Sequence, residues 1–123
     1  MDSAQTVEVS QAVPGTPKQV WEFLLGRDGS EIWLGPGTDL TKDKSYETAN
    51  GTAGRVRKIK DAKQLSLTWQ PKDWDHDSDV HVIVGDGTLK FRQEGLIDAA
   101  ERAEQREYWE GVVERIATAL AER

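Results

Sequence analysis

With 22 acidic against 16 basic side chains among 123 residues and a net charge of -6, the sequence repels a phosphate backbone, which argues against a nucleic-acid partner. It contains no cysteine, which removes disulfides, thiol nucleophiles and thiolate metal sites together and fits a reducing compartment. Residues 1–10 carry no cationic stretch followed by an apolar run, and no later segment approaches the roughly 20 apolar residues of a membrane span, so the expectation is a single cytoplasmic domain over residues 1–123 that meets no membrane.

From Thr6 to Val13 the apolar Val7, Val9 and Val13 fall on alternate positions, as a strand with one buried face requires. Thr16-Pro17-Lys18-Gln19 then offers a helix start: Thr16 as N-cap, Pro17 in the first helical position and Gln19 reaching back in a capping box. Val20, Trp21, Phe23, Leu24 and Leu25 supply its apolar face, and Gly26 is expected to end it in the left-handed conformation. A shorter helical turn follows from about Asp28 to Leu34, and Gly35-Pro36-Gly37 breaks the chain.

Between Thr38 and Glu94, turn signals recur at short intervals: Lys42-Asp43-Lys44, Asn50-Gly51, Lys60-Asp61-Ala62, residues 72–79 and Gly85-Asp86-Gly87. The segments between them alternate as strands of a meander, with Leu65, Leu67 and Trp69, then Val80, Val82 and Val84, then Leu89 and Phe91 on the apolar parity. Gly85-Asp86-Gly87 joins the last two as a tight hairpin. Arg55, Arg57, Lys58 and Lys60 alternate on one strand with Val56 and Ile59, which puts cations on a solvated face.

The chain closes on one long helix. Asp98 caps it with Glu101 three residues on, and Tyr108, Trp109, Val112, Val113, Ile116 and Leu120 recur at helical spacing. About 24 residues at about 1.5 Å each span a small sheet, and an amphipathic helix of that length needs an apolar surface to lie on. The expected architecture is α+β: a curved antiparallel sheet of about six or seven strands holding the last helix, with two short helices after the first strand.

That order resembles the SRPBCC superfamily (START-like, helix-grip) and, within it, the activator of heat-shock protein 90 ATPase family. The residues that carry the likeness are Pro17-Lys18-Gln19-Val20-Trp21, Ile32-Trp33-Leu34-Gly35, residues 51–54 before Arg55-Val56, Leu67-Thr68-Trp69, Gly87-Thr88-Leu89, Glu94-Gly95-Leu96 and Tyr108-Trp109-Glu110-Gly111. The resemblance implies a pocket between the sheet and the last helix that takes a small hydrophobic molecule, and it implies a second possible partner, a chaperone of the heat-shock protein 90 type. The additional N-terminal domain of the eukaryotic activators has no counterpart in these 123 residues. Because the superfamily spans carriers, receptors, cyclases and co-chaperones, fold alone does not choose among them.

Of the five tryptophans, Trp21 and Trp109 lie on apolar helix faces and read as core. By resemblance Trp33 stands near the pocket mouth and Trp69 in the sheet interior. Phe91 from the sheet and Tyr108, Val112 and Ile116 from the long helix complete the candidate ligand-binding set.

No catalytic, metal or cofactor site is legible. Residues 73–79 hold four aspartates and a histidine, but counting from Asp73 places Ser78 and Val84 where a calcium hand needs glycine and glutamate, so the stretch reads as an exposed acidic turn. There is no Gly-x-Ser-x-Gly elbow, His76 belongs to a loop, and His81 points to solvent if the Val80, Val82 and Val84 parity is the buried one. Gly35-Pro36-Gly37 lacks the third glycine of a dinucleotide fingerprint. The reading is a binding domain and not an enzyme, with a cyclase or hydrolase as the remaining alternative.

Overall fold

The computed structural model describes residues 6–35, 40, 43–48, 51–60, 62–72 and 74–122. The elements in chain order are β1 (Thr6–Ala12), α1 (Pro17–Leu25), α2 (Arg27–Trp33), β2 (Ser45–Glu47), β3 (Ala53–Lys60), β4 (Gln64–Trp69), β5 (Ser78–Gly85), β6 (Thr88–Glu94) and α3 (Ala99–Ala121). The expected turn residues Pro36, Gly37, Lys42, Asn50, Asp61 and Asp73 lie outside the described residues. No described helix is long and apolar enough to cross a membrane.

The six strands form one antiparallel sheet in the order β1-β6-β5-β4-β3-β2, so the first strand returns to pair with the last. Parity decides the faces. Val7 and Val9, Leu65, Leu67 and Trp69, Val80, Val82 and Val84, and Leu89 and Phe91 are all buried toward α3, as their alternation requires. Helix α3 crosses this face over β1 and β6 and touches α2. It buries Trp109, Val112, Val113 and Ile116 and starts at Asp98, whose carboxylate accepts from Glu101 N at 2.8 Å.

Local chemistry explains the start of α1. Gln19 N donates to Thr16 Oγ1 at 3.2 Å, and Thr16 N donates to Gln19 Oε1 at 2.9 Å, completing the capping box. Its end differs from the sequence expectation. Gly26 has φ -78° and ψ 174°, an extended conformation open to any residue, and serves as C-cap of α1 and N-cap of α2 at once. Glycine is required there by space, because a Cβ would sit 2.8 Å from Glu22 O.

Strand β3 also departs from simple alternation. Val56 pairs with Leu67 and Lys58 with Ser66, so Arg57 is an extra residue opposite one step of β4. This bulge accounts for the three-residue spacing of Val56 and Ile59 and leaves Arg55, Arg57, Lys58 and Lys60 all exposed. Between β5 and β6, Gly85 pairs with Thr88 across the two-residue turn Asp86-Gly87, where Gly87 takes φ 79°.

Candidate functional site between the sheet and the last helix

The structure gathers the six residues expected to line a pocket. Trp33, at the end of α2, lies parallel to Trp69 of β4, with ring centroids 6.4 Å apart and planes 6° from parallel, and meets Phe91 of β6 edge-on at 5.6 Å. Tyr108 lies 6.4 Å from Trp69. Val112 and Ile116 follow on the inner face of α3, buried in the same core.

Trp109, read from the sequence as ordinary core, is the centre of this cluster. Its ring stacks on Phe91 at 4.7 Å, packs at 5.1 Å against Trp69 and meets Tyr108 edge-on at 4.8 Å. Such pairs add about 0.5–1.5 kcal/mol each beyond their buried area. The rings occupy the space between sheet and helix. Of the candidate set, Trp33, Trp69, Phe91, Val112 and Ile116 are buried and Tyr108 is half-buried.

A polar relay holds these rings in place. Trp109 Nε1 donates to Gln93 Oε1 at 2.8 Å, Gln93 Nε2 donates to Ser78 Oγ at 2.8 Å, and Ser78 Oγ donates to Trp69 O at 2.6 Å. Gln93 and Ser78 are buried, so each bond satisfies a group that water does not reach. The sequence carried a signal for this relay. Gln93 stands on the apolar parity of β6 with Leu89 and Phe91, and Ser78 on that of β5 with Val80, and a polar residue at an inward position needs a partner.

Three further donors fix the mouth of the cluster. Trp33 Nε1 donates to Leu24 O at 3.1 Å, Tyr108 Oη to Trp33 O at 2.7 Å, and Tyr46 Oη to Thr68 O. Burial pushes the pKa of both phenols up, with Tyr108 adding to the effect at Tyr46 and Arg115 opposing it at Tyr108. They are therefore donors and not phenolates. On the solvent side, Tyr108 and Val112 join Glu104, Glu107, Gly111 and Arg115 along an open groove of about 440 Å³. A larger cleft of about 750 Å³ lies elsewhere, between the start of α1, the α1–α2 junction and Leu120, and none of the six candidates lines it.

The acidic loop before β5 is exposed at Asp75 and Asp77, while His76 turns inward. Its ring stacks on Trp74 at 4.6 Å, Nδ1 lies 3.1 Å from Asp75 Oδ1, and Nε2 lies 3.0 Å from Glu101 Oε1 at the start of α3. Both nitrogens face carboxylate oxygens, which favours the protonated ring, and the hydrogen bond to Asp75, followed by that to Glu101, raises the His76 pKa against an opposing effect of burial. Among the described residues no three His, Asp or Glu side chains come together as a metal site.

This clasp has a pH signature. A histidine whose folded pKa is raised contributes its stabilisation fully below the ordinary value of about 6.5 and loses it as pH rises through the folded pKa. His76→Gln is therefore expected to be more destabilising at pH 6 than at pH 9 in urea unfolding, by about 1 kcal/mol or less, as befits a partly exposed pair. Equal losses at the two pH values would show that the imidazolium makes no such contribution.

No family model matches the sequence, and no curated protein matches it. Solved structures do. DynU16, a protein of the dynemicin biosynthetic locus, superposes on 95% of this chain with a TM-score of 0.85 and 20% identity, and the chain spans about half of it, 47% of its length. CalU16 from Micromonospora echinospora, solved in solution, matches over 94% of this chain and 65% of its own with a TM-score of 0.79 and 18% identity. The Aha1 dimer from Colwellia psychrerythraea matches over 94% of this chain and 95% of its own, with a TM-score of 0.73 and 11% identity. At these identities the likeness speaks for architecture alone, and together with the sheet order and the long gripped helix it establishes that this chain has the helix-grip fold.

Proposed function

We propose that the chain is a binding domain that takes a small, largely apolar molecule between sheet and α3, against Trp33, Trp69, Phe91, Tyr108, Val112 and Ile116. The observation that carries this reading is the position of Tyr108 and Val112, which border both the buried aromatic cluster and the open groove along α3. Aromatic walls with a few fixed donors are the usual chemistry of such a site. The rings fill the space in the free protein, so a ligand enters by displacing Tyr108 and breaking its bond to Trp33 O. Among the described residues the ionisable groups of this cluster are two protonated phenols, which suit binding better than acid-base catalysis.

The test is titration of the intrinsic tryptophan fluorescence with anilinonaphthalene sulfonate as the apolar probe. Saturable binding is expected. Tyr108→Phe removes a bond of about 1 kcal/mol that opposes opening, so apparent affinity should rise about fivefold. Val112→Trp should abolish binding by blocking the entrance. Absence of saturation in the unaltered protein, or unchanged binding by Val112→Trp, would contradict the proposal.

A second reading is a protein-interaction role with a chaperone of the heat-shock protein 90 type. It is favoured by the four exposed cations of β3 on a chain whose net charge is -6.

A further inference from the structure

The outer face of the sheet, opposite α3, carries a row of polar residues set by register. Lys58 of β3 pairs with Ser66 of β4, Ser66 with His81 of β5, His81 with Arg92 of β6, and Arg92 with Glu8 of β1. Because side chains on directly paired residues share a face, the five form one line across five strands. Glu94 stands one step along β6, on the same face as Arg92.

Within this row we propose a nucleophilic site for acyl transfer, with Ser66 as nucleophile, His81 as general base and Glu94 as the positioning carboxylate. Gln64 Nε2 donates to Ser66 Oγ at 3.2 Å, and Ser66 Oγ lies 2.8 Å from His81 Nδ1, within reach for the hydroxyl to donate to that nitrogen. The step uses the tautomer in which Nδ1 accepts and the ring proton is on Nε2, which faces Glu94 Oε1 at 3.6 Å. That separation is too long for a resting hydrogen bond, but it suits electrostatic stabilisation of an imidazolium. Glu94 is fixed in turn by Arg92, which holds the other carboxylate oxygen at 2.9 Å. Nucleophile, base and carboxylate line one open groove of about 480 Å³, together with Arg57, Lys58, Gln64, Leu67 and Asp79.

The step balances without a cofactor. Ser66 Oγ bonds to the acyl carbon as its proton passes to His81 Nδ1, the leaving oxygen departs with that proton, and water then releases the acid by the same route. Backbone N–H groups of β4 are occupied by the sheet ladder, so the oxyanion relies on Gln64 Nε2 and the Lys58 cation. This predicts a slow enzyme for activated esters. The cations Arg57 and Lys58 select esters whose acyl part bears a carboxylate.

The test compares hydrolysis of p-nitrophenyl acetate with that of mono-p-nitrophenyl succinate by the full chain, with folding of each variant checked by circular dichroism. The succinate ester should react faster. Ser66→Ala and the less buried His81→Asn should each lose about a hundredfold in rate, the contribution of a general base and its nucleophile. Glu94→Gln should lower the rate about tenfold and shift the pH profile, which a purely structural role would not do. Peptide mass analysis of quenched reactions should find the acyl group on Ser66. Full rates in both Ser66→Ala and His81→Asn, or acyl groups on lysines alone, would overturn the site. Either result leaves the interior binding proposal untouched, since the two lie on opposite faces of the sheet.

Discussion

Replacing Trp109 with alanine is expected to cost about 3–5 kcal/mol of unfolding free energy, a large share of the roughly 5–15 kcal/mol that holds a domain of this kind. The ring is fully buried and touches Phe91, Trp69 and Tyr108, so its removal leaves a cavity that three other rings cannot close together. It also removes the donor to Gln93 Oε1, and an orphaned buried acceptor costs about 1–3 kcal/mol. Trp109→Phe separates the two effects, keeping most of the packing while losing the N–H. Urea unfolding with an unchanged slope provides the measurement. A loss of about 0.5 kcal/mol for the alanine variant, typical of a surface substitution, would show that the cluster is not the structural centre described above.

The same substitution at two helical glycines is expected to have opposite signs. In an ordinary helix, glycine to alanine stabilises by about 0.5–1 kcal/mol. At Gly111 of α3 a new Cβ meets nothing within 4 Å, so Gly111→Ala should follow that rule. At Gly29 of α2 it would lie 1.9 Å from Phe23 O and 2.8 Å from Phe23 Cδ2, and backbone cannot give way as a flexible side chain does. Gly29→Ala should therefore cost about 3 kcal/mol, the upper end of overpacking penalties. Because α2 ends on Trp33, the near-ultraviolet circular dichroism of the tryptophan cluster should change with it. A stabilised Gly29→Ala protein would contradict the close approach of α1 and α2.

What the sequence disclosed about this fold was local. The capping box at Thr16 and Gln19, the Asp98 cap and the Asp86-Gly87 turn are each written within four residues, and strand parity follows from a period of two. The aromatic cluster was legible as a set of residues, since Trp33, Trp69, Phe91 and Tyr108 meet as ring contacts. Its geometry was not. The relay from Trp109 to Trp69 links residues 16 and 15 positions apart and then crosses between strands, and it is fixed only once β4, β5 and β6 are in register. His76 and Glu101 are 25 residues apart, and the Ser66, His81 and Glu94 constellation exists only because three strands align.

Two local readings also gave way to tertiary packing. Gly26 is set by the distance to Glu22 O and not by handedness, and the β3 bulge at Arg57 replaces strict alternation with a spacing that keeps both Val56 and Ile59 toward the core. A bulge of this kind has no residue signature of its own. His81 does lie on the outer face as its parity required, yet it is half-buried there and engaged with Ser66.

Whether an apolar molecule enters between sheet and α3 is decided by native mass spectrometry of the protein purified gently from its source cells. The expected spectrum shows an adduct, chemically apolar, that is released on denaturation and is missing from Val112→Trp. A bare intact mass accompanied by a stoichiometric chaperone subunit would contradict it and favour the protein-interaction reading instead.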